Sequence, residues 1–184
     1  MARSSTGLRD QLLAAALRLF VQHGFRGTSL ADIASDVGCS KASLLYHFAN
    51  KEAILAELLL PVGNEAAALL VRLDALGARA DAETTVRAFV DLILRYRREM
   101  KLLFDNVADV TSLAALDVGG IDGIEHRLTA ALAGHSPDPH DQVAAFMALT
   151  GMFVTAAADL PYDDDTLREA MAAAALRALG RDRG

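Results

Sequence analysis

Apolar side chains recur every three to four residues along most of this chain, which is the spacing of one face of an α-helix. No stretch alternates apolar and polar residues as a half-buried strand would. Ala and Leu, both good helix formers, dominate the composition, so the pattern predicts an all-α fold. The first apolar series predicts an amphipathic helix that ends at Gly24, and its buried positions are Leu8, Leu12, Ala15, Ala16, Leu19 and Phe20.

Two short helices are predicted next, each with its own start and stop signals. Ser29 and Asp32 have the spacing of a capping box, and Gly38 stands where a left-handed residue ends a helix. Ser40 is an N-cap candidate for a third helix that runs through His47. Together with the first helix they form a three-helix N-terminal head, which we assign to residues 1–50.

The remaining residues, 51–184, predict a larger helical body. Asn50 caps a fourth helix, in which Pro61 predicts a kink or a break. A fifth helix carries an i, i+4 charge ladder of Arg87, Asp91 and Arg95 outside, and its inner face consists of Val86, Phe89, Val90, Ile93 and Tyr96. Further helices are predicted over 102–116 (one or two), 121–132 after a Gly119-Gly120 turn, 141–159 and 165–179, which makes about nine in total.

Composition limits the classes of protein to which the chain can belong. A single cysteine, Cys39, excludes an internal disulfide and a cysteine-rich metal site, and we expect neither a metal nor a cofactor. The N-terminus lacks the apolar core of a signal peptide. The longest uncharged apolar run, 143–158, is shorter than the roughly 18–20 residues of a spanning helix. We therefore expect a cytoplasmic protein with no membrane partner.

The net charge of −6 is unevenly distributed along the chain. Residues 1–51 carry a net charge of +3, whereas residues 52–184 carry −9. Because phosphate responds to the local field, a basic head on an acidic body is compatible with DNA binding at one end. Chance asymmetry of a solvated surface is the alternative explanation of the same distribution.

The stretch from Thr28 to Glu52 is the most informative part of the sequence. Two short helices are joined by a tight turn at Gly38, and apolar residues such as Ile33 and Leu44 would hold them at a fixed angle. The second helix opens with small and polar residues, namely Ser40, Lys41, Ala42 and Ser43. A short helix with a slim leading edge fits the DNA major groove, which is about 12 Å wide, so the stretch predicts a helix-turn-helix.

This stretch resembles the DNA-binding domain of the TetR family of bacterial regulators, over about the first third of the chain. Leu45 departs from the family pattern, which often has a tyrosine there, and this leaves Tyr46 to make an aromatic phosphate contact. The resemblance implies a dimer that binds double-stranded DNA at a palindromic operator. It rests on Phe25, Thr28, Ser29, Ile33, Ala34, Gly38, Ser40, Leu44, Tyr46, His47, Phe48, Lys51 and Glu52.

Chemistry and the resemblance together predict which residues bind DNA. Lys51, in the first turn of its helix, combines an ammonium with free backbone N–H groups as a phosphate clamp, and the Thr28 hydroxyl is a second phosphate contact. Lys41, Ala42 and Ser43 are the predicted base readers, because lysine donates to guanine edges and a methyl group meets the thymine methyl. Lys41 as a phosphate contact is an open alternative. The other predicted contacts are Arg3 on the N-terminal arm, Ser29, Ser40, Tyr46 and His47, the last with a packing role as its alternative.

The segment 143–158 is apolar on every face, and such a helix must be covered all round. A second copy of the chain could cover it in a four-helix interface with 165–179, and a central core helix in a monomer is the alternative. The resemblance implies the dimer, whose two recognition helices, about 34–36 Å apart, would read a palindrome. The predicted interface residues are Ala144, Ala148, Gly151, Thr155, Leu167, Met171 and Ala174.

The resemblance also implies a small-molecule effector among the middle helices, whose binding shifts the two heads. With no Trp and only 5% aromatic residues, we expect an adaptable aliphatic pocket for an apolar or amphipathic ligand. All the candidate residues are equally explained as ordinary core. They are Leu69, Phe89, Ile93, Tyr96, Phe104, Val107, Met147 and Phe153, with Arg97, Asn106, His126 and Thr150 as polar anchors.

Two other classes of function compete with this interpretation. An enzyme is the first, but the sequence has no Ser-His-Asp arrangement, paired-carboxylate motif, phosphate loop or metal signature. A helical interaction protein with a disused head is the second, and the retained Ser40, Lys41, Tyr46 and Lys51 weigh against it. The expectation is a dimeric, ligand-responsive transcriptional repressor without enzymatic activity.

Overall fold

The computed structural model describes residues 5–77, 81–105 and 123–180, and within these ranges it contains nine α-helices and no strand. The predicted all-α architecture is confirmed. Arg3, Asn106, Val107, the Gly119-Gly120 turn and most of 102–116 lie outside the described residues. The helices are α1 (Ser5–His23), α2 (Leu30–Val37), α3 (Lys41–His47), α4 (Lys51–Leu76), α5 (Ala82–Arg95), α6 (Arg97–Asp105), α7 (Ile124–Leu132), α8 (Pro139–Ala157) and α9 (Asp164–Ala178).

The starts of the short helices follow the local signals in the sequence. The side-chain oxygens of Ser29, Ser40 and Asn50 accept hydrogen bonds from first-turn backbone N–H groups at 3.2, 3.1 and 2.7 Å. These bonds satisfy donors that have no partner within the helix. Gly38 ends α2 with a φ of 73°, the left-handed region that favours glycine. All four predicted caps are confirmed.

The head has a core of its own, formed by the three N-terminal helices and parts of two later ones. α1 contributes one face, and Ile33, Leu44 and Phe48 contribute from α2, α3 and the residue that follows α3. The first ten residues of α4 add Ile54, Leu55 and Leu59 to the same core, although the sequence predicts the head to end at residue 50. Leu102 of α6 also reaches this core, so two body helices are anchored in the head.

Of the two outcomes predicted at Pro61, a kink or a break, the break is wrong, because α4 continues without interruption from Lys51 to Leu76. A proline inside a helix costs about 3 kcal/mol through its missing N–H and its ring. Packing on both sides offsets this cost, since Leu59 is buried in the head core and Val62 and Leu69 in the body core. Each such side chain contributes about 1.5–3 kcal/mol when fully buried. Pro61 itself is exposed.

α4 is also long and apolar enough, by length and composition alone, to cross a membrane. Half of its most apolar window is buried inside the protein, however. Its buried apolar residues pack in the head core and in the body core, as those of a core helix do.

The body brings α5, α8 and α9 together, with α4 and α7 packed beside them. The predicted charge ladder along α5 is wrong, because its members pair with other residues instead of each other. Asp91 accepts from Arg168 of α9 at 2.8 Å, and Arg95 donates to Glu65 of α4 at 3.0 Å. The third member, Arg87, pairs with Glu83 and Glu169. Asp91 and Arg95 face neighbouring helices and pair with residues there, whereas the closest partner of Arg87 is Glu83, four residues earlier on α5, at 3.2 Å.

Arg97 joins the start of α6 to the end of α8. Its guanidinium donates to the carbonyl oxygens of Ala156, Ala158 and Leu160 at 3.3, 2.9 and 3.4 Å. A cation at a helix C-terminus is favourable because the last carbonyls lack partners within the helix. α6 also carries Leu102 into the head core, so this arginine ties the α8–α9 turn to a helix that contacts the head.

Candidate nucleic-acid interface

The unit formed by α2, its turn and α3 is fixed by reciprocal hydrogen bonds and a shared apolar face. The Ser29 N–H donates to Asp32 Oδ2 at 2.8 Å while the Ser29 hydroxyl accepts from the Asp32 N–H, a complete capping box. The turn closes through the Cys39 N–H, which donates to the Ala34 carbonyl at 2.9 Å. Ile33 and Leu44, both 0% exposed, hold the two helices at a fixed angle.

The outer face of α3 presents the residues predicted to read bases. Lys41 and Ala42 are exposed, Ser43 is half-buried, and Tyr46 is 84% exposed. The half-buried His47 meets the Tyr46 ring edge-on, with centroids 5.3 Å apart. Exposed side chains at the start of a short helix are what a major-groove reader requires. The Ser40 hydroxyl is already engaged as the N-cap.

The predicted phosphate contact of the Thr28 hydroxyl disagrees with the structure. Thr28 is only 2% exposed, and its hydroxyl donates toward the carbonyls of Gly24 at 3.0 Å and Leu19 at 3.2 Å. The side chain therefore closes the turn after α1 and does not face solvent. Sequence alone missed this because a threonine next to a helix start suits either role.

Lys51 also has partners other than those predicted for it. Its ammonium donates to the backbone carbonyls of Phe25 at 2.5 Å and Thr28 at 2.7 Å, and it lies 4.5 Å from the centroid of the Phe25 ring. These contacts hold the ammonium against the loop between α1 and α2. Arg26, absent from the predicted set, is exposed in that loop. The signal in the sequence that could have identified Arg26 as a DNA contact was its place two residues before Thr28, next to the predicted helix-turn-helix.

Arg26, Lys41 and Lys51 line one shallow depression of about 420 Å³ beside the start of α2. Ser29 and Glu52 complete its rim. Three cations against one carboxylate give this face a positive field, which is the electrostatic footprint of a phosphate-binding surface. The basic character predicted for the head is therefore concentrated beside the helix-turn-helix.

The Ser29 cap is expected to contribute measurably to the stability of the head. Ser29→Ala removes the hydroxyl that satisfies an α2 N–H, and it should cost about 1 kcal/mol at pH 7. For a chain of this size, thermal denaturation should then show a midpoint lower by about 2–4 °C. Ser35→Ala, an exposed change near the end of the same helix, is the matched control. An equal loss in both variants would contradict the capping role.

The same cap has a defined pH dependence through Asp32. The Ser29 backbone N–H, followed by the Ser29 hydroxyl, lowers the pKa of this carboxyl below its ordinary value of 3.8. Because the folded pKa lies below the unfolded one, the stabilisation is complete above the unfolded pKa and is lost as pH falls through the folded pKa. The stability difference between the wild type and Asp32→Ala should therefore shrink as pH falls below 3.8.

The structure divides the predicted effector residues into core and surface. Leu69, Phe89 and Ile93 are buried in the body core, and Phe153 is half-buried at its edge. Tyr96 is half-buried and donates to Glu65 at 3.0 Å; burial, followed by this hydrogen bond, raises the pKa of its phenol. Arg97 lines a cleft of about 610 Å³ between α1, α6 and the α8–α9 turn.

Four of the predicted inward residues face solvent instead. They are Phe104 and Met147, which are 45% and 65% exposed, and also His126 and Thr150. On α8 the inward positions are Ala145, Leu149 and Met152, and the helical repeat turns Met147 and Thr150 away from them. Because α8 is apolar on nearly every face, its sequence pattern did not identify the inward side.

The predicted dimer residues also separate into two groups. Ala148, Leu167 and Met171 are at most 5% exposed and pack in the core of a single chain, although Ala148 and Met171 also line an open cavity between α8 and α9. Gly151 and Ala174 are exposed and line the same cavity, of about 170 Å³, while Ala144 and Thr155 are half-buried. Large exposed apolar residues of α8 include Val143, Phe146 and Met147, which are 58%, 48% and 65% exposed, and Met147 lines the same cavity.

A short exposed helix, capped at its start and held by a glycine turn against a second short helix, defines a helix-turn-helix DNA-binding unit. Residues 12–58 match the sequence profile described as bacterial regulatory proteins, tetR family. This matched segment, about a quarter of the chain, is similar to the DNA-binding domain of that family.

Among curated relatives, the negative transcriptional regulator IcaR of the biofilm operon icaADBC in Staphylococcus epidermidis is 45% identical over 47 residues. That match covers 26% of this chain and 25% of the relative, so it spans about a quarter of the relative's length. The relatives that match are transcriptional regulators and not enzymes, which agrees with the class predicted from the sequence.

Similar solved structures extend the likeness to the whole fold. A bacterial regulatory protein of the tetR family from Rhodococcus RHA1 has a TM-score of 0.73 at 19% identity, and the match covers 99% of this chain and 100% of that one. KstR2, a ketosteroid transcriptional regulator of Mycobacterium tuberculosis, has a TM-score of 0.71 at 21% identity, with 94% and 93% covered. At these identities the likeness supports the fold alone.

Proposed function

We propose that the protein is a dimeric, sequence-specific transcriptional regulator that acts as a repressor and is released from a palindromic operator by a small ligand. The observation that carries the proposal is the outer face of α3, where Lys41 and Ala42 are exposed at the start of a capped helix. A repressor needs only to occupy its operator, and IcaR, a relative in the matched segment, is a negative regulator. The chain acts in the cytoplasm, where its DNA target lies.

In this proposal, α3 enters the major groove and reads bases through Lys41, Ala42 and Ser43. Lysine donates to the guanine edge, and the alanine methyl packs against a thymine methyl. Tyr46 and His47 follow on the same short helix and contact the sugar-phosphate backbone, with Arg26 adding charge beside the start of α2. Arg3 on the N-terminal arm reaches a neighbouring groove.

The exposed apolar face of α8 and α9 supports a dimer. One recognition helix reads too few base pairs for a specific site, and two, about 34–36 Å apart, read a palindrome. A small apolar or amphipathic effector bound in the body would change the spacing of the heads through α4 and α6, the helices that reach both cores.

Selection of bound duplexes from a random pool tests the proposal. The expected winner is a palindrome bound in the range of about 10⁻⁸–10⁻¹¹ M, far tighter than random DNA. Lys41→Ala should then relax the preference at a particular base pair and cost about 1–3 kcal/mol at that position. Weak, strongly salt-dependent binding without any preferred sequence would reject specific regulation and favour a helical interaction protein with an unused head.

A further inference from the structure

The ammonium of Lys51 is bound within the protein. Two of its three donors are directed at the carbonyl oxygens of Phe25 and Thr28, at 2.5 and 2.7 Å. Hydrogen bonds from a charged donor contribute more to stability than those between neutral groups. Both acceptors are neutral, so the side chain keeps its positive charge while its position is fixed.

The same contact reaches the head core through Phe25. The ammonium lies over the Phe25 ring, 4.5 Å from its centroid, a cation–π geometry. That ring is 5% exposed and meets the edge of Phe20 at 5.1 Å. Lys51 therefore holds both the backbone and the side chain of one loop residue.

The loop between α1 and α2 is fixed from its other side by Thr28. The buried Thr28 hydroxyl donates toward the carbonyls of Gly24 and Leu19, while Lys51 donates to the Thr28 carbonyl. The next residue, Ser29, is the N-cap of α2. Lys51 thus ties the first turn of α4 to the point where α2 begins, and α2 in turn packs against α3.

We propose that Lys51 is a positioning residue for DNA binding, whose ammonium holds the 25–28 loop and sets the start of α2 instead of gripping a phosphate. The inference rests on the DNA-binding function proposed above, although the loop clamp itself exists without DNA. Phosphate charge near this depression is then met by Arg26, whose side chain shares its lining.

The wild-type protein without DNA provides the first test, because it contains only three lysines, Lys41, Lys51 and Lys101. Their ammonium signals can be resolved by nitrogen-15 NMR. The Lys51 ammonium protons should exchange with water at least about tenfold more slowly than those of Lys41, because their hydrogen bonds must open first. Equal exchange of the two would overturn the clamp. This arm needs neither DNA nor a variant, so it separates failure of the clamp from failure of the proposed function.

The second test compares Lys51→Met, which keeps most of the aliphatic stem, with Lys41→Ala. In K51M, amide exchange at residues 25–29 should accelerate in the free protein, and DNA affinity should fall with an unchanged dependence on salt. In K41A the loop should exchange as in the wild type, while the preference at a particular base pair is relaxed. Lys51→Arg, which retains charge-bearing donors, should restore part of the loop protection.

A K51M variant with wild-type loop exchange and a salt slope reduced by about 0.9 would identify a phosphate grip and overturn the positioning role.

Discussion

In the proposed dimer, arginine in place of Gly151 is expected to separate the two copies into monomers. The affinity for a palindromic operator should then fall at least about a thousandfold, toward the affinity for random DNA, because a single head makes only part of the specific interface. Sedimentation or light scattering would measure the mass of the particle, and titration of the selected duplex would measure the affinity.

The size of this effect follows from the surroundings of Gly151. A Cβ added there meets no atom of a neighbouring element within 4 Å in a single chain, and the residue lines the α8–α9 cavity together with the exposed Met147. Replacing glycine inside a helix also removes its intrinsic cost of about 1 kcal/mol. A single copy therefore accommodates the arginine, and only a second copy packed on this face would meet an unpaired charge.

Val71→Arg is the matched control, because Val71 is 63% exposed on α4, away from this face. It should leave both the mass and the DNA affinity unchanged. A G151R protein that stays dimeric, with a normal circular dichroism spectrum, would move the interface to another surface. A wild-type protein that is monomeric at every concentration would reject the dimer itself.

The caps of the head could be predicted from sequence because each depends on neighbouring residues. Ser29, Ser40 and Asn50 accept from N–H groups within three positions, and Gly38 needs only its own backbone freedom. The Lys51 contact could not be predicted in this way. Its partners lie 23 and 26 residues earlier, and an ammonium at the start of a helix suits a phosphate as well as a carbonyl.

The body was predicted less well because its helices are nearly uniform. α8 is rich in alanine and apolar on most faces, so the pattern alone did not separate the buried Ala148 from the exposed Met147. α9 posed the same problem, since Leu167 and Met171 pack inside their own chain. Only tertiary packing identifies the inward side of such helices.

Two helices connect the parts of the fold that the proposed function needs to couple. α4 buries Leu59 in the head and Leu69 in the body without a break, and α6 carries Leu102 into the head while Arg97 holds the end of α8. A change of packing in the body would therefore move elements that also form the head core. Coupling through packed helices requires that the helices have two discrete packing arrangements. The packing at both ends of α4 and of α6 would have to differ between these two arrangements.

The second large effect concerns three consecutive residues of the recognition helix. Leu44 is 0% exposed at the centre of the head core, whereas Leu45 is 43% and Tyr46 is 84% exposed. Leu44→Ala leaves a cavity and should cost about 2–5 kcal/mol, because the surroundings relax only in part. A domain is stable by only about 5–15 kcal/mol, so the head should melt at a clearly lower temperature and DNA binding should weaken with it. Calorimetry and operator titration would measure the two effects together.

The same substitution at the next two positions separates folding from recognition. Leu45→Ala removes the same atoms from a half-exposed site and should cost well under half as much, because little of a cavity forms. Tyr46→Ala should change stability by no more than about 0.5 kcal/mol, as exposed substitutions do. If the Tyr46 hydroxyl contacts the backbone of DNA, its removal should still weaken operator binding about tenfold, the value of one hydrogen bond to a charged group. Equal melting temperatures for L44A and L45A would mean that Leu44 is not at the centre of the head core. A Y46A protein with unchanged DNA affinity would mean that DNA contacts another face of α3.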